Sequence, residues 1–561
     1  MDDRPNLSEF LNEVSSFSEE TAASKPASPA QALNPVGQVV EIAGSGSQIR
    51  MDSTVLNALQ AHSDMSVAMS GQVGSQVKMI VGNNWLIANV RTMKATEGSE
   101  IVAHVDFLGE GTKEASGRVS NFRRGVTRYP IPGSPVYPVT TDDLRSVFAA
   151  SDEPHIEIGT VYPTDDIRGA LYVDPMLSKH FAVLGSTGTG KSTSVALILH
   201  RISQLSPEGH IVMIDPHGEY SAAFKGCGEL FNVDNLQLPH WLMNFEEHCE
   251  VMLTTHDAER QRDADILAKC LLAARTKGKD MSQYGKVTVD SPIPYLLADL
   301  NTILVNEMGK LERAGDTLPY QRIKTKLDEL RADPRYTFMF SGMLVSDTMP
   351  SLISKLFRLP SHGKPISIVD VSGVPSEVTS VVVSVLARMV FDYAIWSRTE
   401  AQRPLLLVCE EAHRYVPKDE NAENGQSVRR ILERIAKEGR KYGVSLGLIT
   451  QRPSDLAEGV LSQCGTIVAM RLNNDRDQAC VRAAMPEGAR GFLDAIPALR
   501  NRECIVCGEG VAIPIRVRFD DLEPEKRPAS SDPSFARLWC ETGDEEGIIQ
   551  RTIKRWRGHG R

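Results

Sequence analysis

The sequence predicts an α/β fold with a parallel sheet, a small β-barrel before it and a helical insertion within it. Three observations support this class. From about residue 155 onward, short and nearly continuous apolar strands alternate with helical segments, which is typical of a parallel sheet covered on both faces. Residues 36–150 contain β-branched runs separated by Gly, Asn and Ser, as in a small barrel or sandwich. Residues 235–345 show helical periodicity instead.

These patterns divide the chain of 561 residues into five parts. The apolar strands expected in the sheet are 181–184, 210–214, 366–371, 405–409, 445–450 and 466–471. Residues 501–518 are expected to form a β-hairpin. The predicted domains are a tail (1–34), a β-barrel (35–154), the α/β core (155–234 and 346–520), the helical insertion (235–345) and a C-terminal extension (521–561).

The tail has one segment with helical spacing. Leu7, Phe10, Leu11 and Val14 follow the i, i+3, i+4, i+7 pattern of one helix face, and a stretch rich in Ser, Ala and Pro follows as a flexible linker. Either this helix docks a partner protein, or it frays in solution. The sequence favours neither.

Composition limits the class of protein. The net charge is −10, from 62 basic and 72 acidic residues, and this total does not exclude DNA binding, which depends on a local basic surface. We find no apolar run of the roughly 20 residues that a membrane span needs, and the start of the chain lacks the apolar region of a signal peptide. We therefore expect a cytoplasmic protein without a membrane segment.

The nine cysteines do not indicate a disulfide framework, because their number is odd and they are scattered. Cys504 and Cys507 form the one close pair, and no second pair or histidine cluster completes a zinc site. We interpret this pair as part of a buried strand that ends at the turn around Gly508.

A phosphate-binding loop lies between an apolar strand and a helical segment. Gly185, Gly190, Lys191 and Ser192 complete the pattern G-x-x-x-x-G-K-[ST], in which loop N–H groups and the helix N-terminus attract phosphates. Lys191 is expected to reach the β- and γ-phosphates, and the Ser192 hydroxyl to bind Mg²⁺. The residues predicted to contact ATP in this loop are Ser186, Thr187, Gly188, Thr189, Gly190, Lys191, Ser192 and Thr193.

Polar residues follow three other predicted strands. Glu410 and Glu411 directly follow the strand 405–409. We expect Glu410 to hold the Mg²⁺ shell and Glu411 to orient or deprotonate the attacking water. Gln451 ends the next strand, where a side-chain amide can sense the γ-phosphate. Asp215 and Glu219 follow the strand 210–214 at the same edge of the sheet, where open α/β sheets bind ligands. A turn and a helix cap would also explain these last two.

A basic amphipathic helix spans residues 429–442. An arginine inserted into a neighbouring subunit's ATP site stabilises charge in the transition state. Arg440 is our first candidate for this role and Arg434 the second, with a solvated basic face as the alternative.

Taken together, these blocks resemble the HerA family of the FtsK–HerA class of RecA-like ATPases. The resemblance rests on the segments 179–192, 214–220, 368–375, 408–413, 438–443 and 450–452, and it extends over roughly residues 36–520. The block D-P-H-G-E-Y at 215–220, with E-E-A-H at 410–413, is more specific than the phosphate loop alone.

The resemblance implies a RecA-like homohexameric ring that hydrolyses ATP and moves or unwinds double-stranded DNA. It also implies a nuclease or sirtuin-type effector partner, in DNA end resection or antiphage defence. By the same resemblance, Lys179 contacts nucleotide beside the loop and Arg440 acts in trans. The alternative is a hexameric scaffold in which nucleotide controls the assembly and activation of an effector enzyme.

Overall fold

The computed structural model describes residues 33–96, 98–280, 282, 284–341, 346–419, 425–485, 490–529, 534–541, 543 and 545–558. The predicted docking helix of the tail lies outside these residues. Two sheets organise the described part of the chain, one of seven strands and one of eleven.

The first sheet forms the N-terminal barrel. Its strand order is β2-β1-β7-β3-β4-β5-β6, and a further pairing of β2 with β5 closes six of the strands into a ring. The strands are β1 (Gly37–Ile42), β2 (Gly46–Asp52), β3 (Gln76–Val81), β4 (Asn84–Ala95), β5 (Glu100–Lys113), β6 (Val119–Arg124) and β7 (Pro135–Pro138). Helices α1 (Ser53–Leu59), α2 (Met65–Ala68) and α3 (Thr141–Val147) flank them. Valines and methionines that alternate along these strands fill the interior, as period-two patterning predicts.

The second sheet is the core of the α/β domain. Its order is β12-β13-β11-β14-β15-β10-β16-β17-β18-β8-β9. The strands are β8 (His155–Val161), β9 (Arg168–Tyr172), β10 (Phe181–Leu184), β11 (Ile211–Asp215), β12 (Gly228–Phe231), β13 (Ile366–Asp370), β14 (Leu405–Cys409), β15 (Val444–Thr450), β16 (Thr466–Met470), β17 (Glu503–Gly508) and β18 (Ile515–Phe519).

Seven neighbouring strands of this sheet, from β12 to β16, are parallel, and β17, β18, β8 and β9 continue it in antiparallel pairing. The central strands are buried along their whole length, which explains their almost purely apolar sequences. The predicted α/β class, with its barrel and helical insertion, is confirmed. Cys504 and Cys507 are buried in β17, as the interpretation of that pair required.

Helices cover the faces of the sheet and form the insertion. The core helices are α4 (Val173–Ser178), α5 (Lys191–Leu205), α12 (Ser376–Trp396), α13 (Gln426–Tyr442), α14 (Glu458–Leu461), α15 (Asp475–Ala484) and α16 (Arg490–Leu493). Between β12 and β13 lie α6 (Phe245–Met252), α7 (Asp257–Thr276), α8 (Leu297–Met308), α9 (Ala314–Ala332), α10 (Thr337–Phe340) and α11 (Met349–Leu356). The C-terminal extension contains α17 (Phe535–Leu538) and α18 (Glu545–Gly558).

One helix corrects a sequence expectation. Among the described residues, α12 has the length and apolar character of a membrane span, although no such run was expected. Its most apolar window is 67% buried inside the protein, because α12 packs against α13 and α6. In this structure α12 is a core helix of the ATPase.

Candidate active site

The phosphate loop connects β10 to α5 at the carboxyl edge of the parallel strands. Gly188 and Gly190 have φ angles of +78° and +93°, a conformation that glycine adopts without strain. At Gly185, a Cβ atom would lie 2.9 Å from the Cβ of Met470, so a larger residue does not fit. Gly190 is the N-cap of α5. The helix N-terminus therefore directly follows the loop, as an anion site requires.

Hydrogen bonds fix the loop to its surroundings. The Ser186 N–H donates to the carbonyl of Arg471 (2.9 Å), and the Thr189 hydroxyl donates to the Ser186 carbonyl (2.8 Å). The Arg502 N–H donates to the Thr189 carbonyl (2.8 Å). Thr193 is half-buried in the first turn of α5. The loop is thus held in shape before any ligand binds.

Lys191 and Glu411 face each other inside the site. Their Nζ and Oε1 atoms are 3.6 Å apart, and both side chains are only 8% exposed. Glu411 has a φ of +50°, an uncommon conformation for a non-glycine residue. Its Oε2 is 3.2 Å from His413 Nδ1 and accepts no hydrogen bond from the described residues. This buried oxygen is available to a water molecule.

The two adjacent glutamates have opposite pKa shifts. Burial raises the pKa of Glu410 to about 8, with a contribution from the negative charge of Glu411. Burial also acts to raise the pKa of Glu411, but the contact with His413 and the charge of Lys191 outweigh it, so this pKa lies below its ordinary value. Environments that separate two carboxyl pKa values in this way assign them different chemical roles. Glu411 is the carboxylate suited to act as a base.

Two further acids lie close to the loop, with different roles. The Ser192 hydroxyl donates to Glu219 Oε2 at 3.2 Å. Asp215 is fully buried and accepts hydrogen bonds from the N–H groups of His217, Gly218 and Tyr220 at 2.9–3.1 Å. Asp215 therefore holds the turn after β11, which was the alternative to a ligand role. Glu219 is the acid that contacts the loop.

The oxygen atoms around Ser192 suit a Mg²⁺ ion that is held partly by nucleotide phosphates, rather than a metal ion held by protein side chains alone. Magnesium prefers hydroxyl, carboxylate and phosphate oxygens, and proteins bind it with one or two carboxylates plus substrate phosphates. Ser192, Glu410 and Glu219 supply such oxygens. Within the described residues, no group of three or more His, Cys, Asp or Glu side chains could hold a metal ion by itself. A magnesium ion that arrives with the nucleotide is consistent with both observations.

Gln451 lies in contact with the loop. The Thr187 hydroxyl donates to Gln451 Oε1, since Leu184 at the end of β10 pairs with Thr450 at the end of β15. The Thr450 hydroxyl in turn lies 3.0 Å from His413 Nδ1. His413 therefore lies between Thr450, which adjoins Gln451 in the chain, and Glu411. Sequence reasoning gave His413 no role, and only its place after Glu411 could have drawn attention to it.

Lys179 does not lie beside the phosphate loop, which corrects the expectation for this residue. Lys179 precedes β10 and the phosphate loop follows β10. The length of this strand, roughly 13 Å, therefore separates Lys179 from the loop. The Lys179 ammonium forms an ion pair with Glu509. The mistake arose because neighbours in sequence can lie at opposite edges of a sheet.

Arg440 and Arg434 also lie away from the loop of their own chain. Arg440 is near the C-terminus of α13, where it borders a cleft of about 1090 Å³ at the amino edge of the sheet. The Arg434 guanidinium lies 4.9 Å from the ring centre of Phe391 and 3.6 Å from Glu438. Arg440 therefore cannot complete the site of its own chain, and any contact with nucleotide must be made in another subunit.

Comparison with known proteins places this site in a family. A family model described as "Helicase HerA, central domain" matches residues 156–390. The DNA double-strand break repair helicase HerA of Pyrococcus furiosus is 26% identical over 518 residues, which cover 85% of this chain and 89% of the relative. The HerA helicase of Sulfolobus acidocaldarius is 25% identical over 432 residues, 76% of this chain and 80% of the relative. These matches support a member of the HerA family.

The expected resemblance to this family is thereby confirmed. Among solved structures, VirB4 of Thermoanaerobacter pseudethanolicus matches this chain with a TM-score of 0.48 and 16% identity, over 67% of this chain and 99% of that one. The conjugative coupling protein TrwB matches with a TM-score of 0.45 and 14% identity, over 71% of this chain and 95% of that one.

Proposed function

We propose that this HerA-family chain is a magnesium-dependent ATPase motor that moves along or unwinds double-stranded DNA. The observation that carries the ATPase chemistry is the buried pair of Lys191 and Glu411, in which a carboxylate oxygen is free to bind water. The preference for DNA rests on the relatives, which are named as DNA double-strand break repair helicases.

Each side chain of the site has a distinct role in this proposal. Lys191 binds the β- and γ-phosphates, Ser192 and Glu410 hold the magnesium shell, and Glu411 orients the attacking water. Gln451 reports the state of the γ-phosphate through its contact with Thr187. The bound magnesium would neutralise charge that develops on the phosphates.

The motor is proposed to be a homohexameric ring in which Arg440 completes the site of a neighbouring subunit. This role is supported by the distance of Arg440 from its own loop. Arg440 also forms no ion pair within the described residues, whereas Arg434 is held by Phe391 and Glu438. An arginine that reaches into another subunit must be free of such contacts.

A steady-state ATPase assay with and without duplex DNA tests the motor. We expect DNA to stimulate the wild type, and Lys191→Ala and Glu411→Gln to remove turnover under both conditions. Glu458→Gln, which changes an exposed acid, should behave as the wild type. Turnover that is indifferent to DNA would favour the nucleotide-regulated scaffold instead.

Mixed rings test the proposed role of Arg440. Arg440→Ala and Lys191→Ala should each be inactive alone, but a mixture should recover part of the activity, because some interfaces combine an intact loop with an intact arginine. A mixture of Lys191→Ala and Glu411→Gln is the matched control. Both of those residues belong to the same site, so every site in those rings is defective. Recovery in both mixtures, or in neither, would exclude the role in trans.

A cytoplasmic motor that works with a nuclease or sirtuin-type effector, in end resection or antiphage defence, is consistent with the family. The tail of residues 1–34 is the segment proposed to dock this partner. Its removal should abolish co-purification of the partner and leave DNA-stimulated ATPase activity intact.

A further inference from the structure

Tyr220 connects the turn after β11 to the acidic end of β14. Its side chain is fully buried, and its hydroxyl donates a hydrogen bond of 3.1 Å to Glu410 Oε2. The Tyr220 N–H donates to Asp215 Oδ2 at 2.9 Å, and its ring stacks on Phe224 with centroids 6.4 Å apart. The backbone and the ring of Tyr220 are therefore both held in place, which fixes the position of its hydroxyl beside Glu410.

A glutamate at this position needs such a contact more than an aspartate does. The additional methylene group gives Glu410 one more rotatable bond, and freedom of that kind must be lost when the carboxylate is held in one place. Because Glu410 is buried, its oxygens also need hydrogen-bond donors, and a buried acceptor without one costs about 1–3 kcal/mol. Tyr220 satisfies both requirements with one hydroxyl.

We propose that Tyr220 is a positioning residue that fixes the Glu410 carboxylate for its contact with the magnesium shell. This inference rests on the function proposed for Glu410 above. Tyr220 itself touches neither nucleotide nor metal in this scheme.

Equilibrium binding of a fluorescent ATP analogue, with magnesium or with EDTA, tests the inference without relying on turnover. Tyr220→Phe keeps the ring and removes the hydroxyl. We expect it to weaken binding about tenfold in magnesium and to leave binding in EDTA unchanged, because only the metal-dependent part of the affinity passes through Glu410.

A second substitution identifies the partner of the hydroxyl. In a Glu410→Asp background the shortened side chain no longer reaches the phenol. Tyr220→Phe should then change magnesium-dependent binding by less than about twofold. An equal effect of Tyr220→Phe in both backgrounds would show that the hydroxyl does not act through Glu410, and would overturn the inference.

Tyr415→Phe is the matched control. Tyr415 is also almost fully buried, but its hydroxyl has no hydrogen-bond partner among the described residues. Its removal should leave binding unchanged in both buffers. Loss of affinity by Tyr220→Phe in EDTA as well as in magnesium would show a purely structural role and also overturn the inference. If the wild type itself bound the analogue equally with and without magnesium, the proposed function of the site would be wrong.

Discussion

Two buried polar clusters in this molecule differ in how completely their charges are paired. The insertion cluster joins the helical insertion to the sheet and consists of Glu247, Arg388, Arg275, His240 and His248. Glu247 of α6 is fully buried and accepts hydrogen bonds from Arg388 (2.8 and 3.1 Å), the Ser384 hydroxyl (2.8 Å) and the Asn244 N–H (2.8 Å). Arg275 is also fully buried; its two terminal nitrogens donate to three backbone carbonyls, and its Nε has no partner among the described residues.

The site cluster, which consists of Lys191, Glu410, Glu411 and Tyr220, is less complete. Lys191 and Glu411 approach only to 3.6 Å, beyond the usual length of a charge-assisted hydrogen bond. Glu411 Oε2 is buried without a hydrogen bond from the described residues.

This difference distinguishes buried charges that stabilise the fold from buried charges that are suited to catalysis. Unpaired buried polar groups cost free energy, and a ligand that supplies the missing partner offsets this cost. The insertion cluster needs no ligand and stabilises the fold. The site cluster leaves polar atoms of Lys191 and Glu411 that phosphates and water can contact.

Glu411→Gln should give the largest effect that this comparison predicts. The amide keeps the shape of the side chain but cannot act as a base, so we expect kcat for ATP to fall about a thousandfold. Thermal unfolding should change little, because Glu411 contributes few satisfied contacts. Steady-state kinetics and differential scanning calorimetry measure the two quantities. A large loss of stability in this variant would break the distinction between the clusters.

Arg388→Met should have the opposite effect, a large loss of stability with little change in ATP binding. The substitution leaves the Glu247 carboxylate buried without its main partner, which we expect to destabilise the protein by about 3 kcal/mol. At a temperature where the variant is folded, its affinity for ATP should equal that of the wild type. Arg262→Met, which breaks an exposed ion pair with Asp316 in the same insertion, should cost less than about 1 kcal/mol. Urea denaturation compares the two, and equal effects would contradict the role of burial.

The sequence predicted the parts of the site that depend on strand ends. The loop, Glu410, Glu411 and Gln451 follow β10, β14 and β15, whose carboxyl ends meet at one edge of the sheet. It could not predict the contact between Tyr220 and Glu410, which are 190 positions apart. Lys179 was misplaced because adjacency in sequence does not specify the edge of a sheet. The apolar character of α12 was overlooked because its seryl, threonyl and charged residues interrupt the run.

The smallest predicted effect is the response of the insertion cluster to acid. His240 lies between the carbonyls of Met339 (3.3 Å) and Tyr295 (3.0 Å), and burial outweighs both contacts and lowers its pKa from 6.5 to about 4. Burial and the nearby Arg275 also lower the pKa of His248. Below pH 6.5 the unfolded chain therefore binds protons that the folded chain does not, so stability falls as the pH falls toward about 4.

Between pH 7 and pH 5, this difference at His240 should cost about 2 kcal/mol of folding stability. His240→Gln should lower stability at pH 7 but reduce its fall between pH 7 and pH 5. His248 keeps part of the slope, because its pKa is shifted in the same direction. Chemical denaturation of the nucleotide-free protein at several pH values measures the slopes. An unchanged slope in His240→Gln would show that the acid sensitivity arises elsewhere, for example in the less completely paired site cluster.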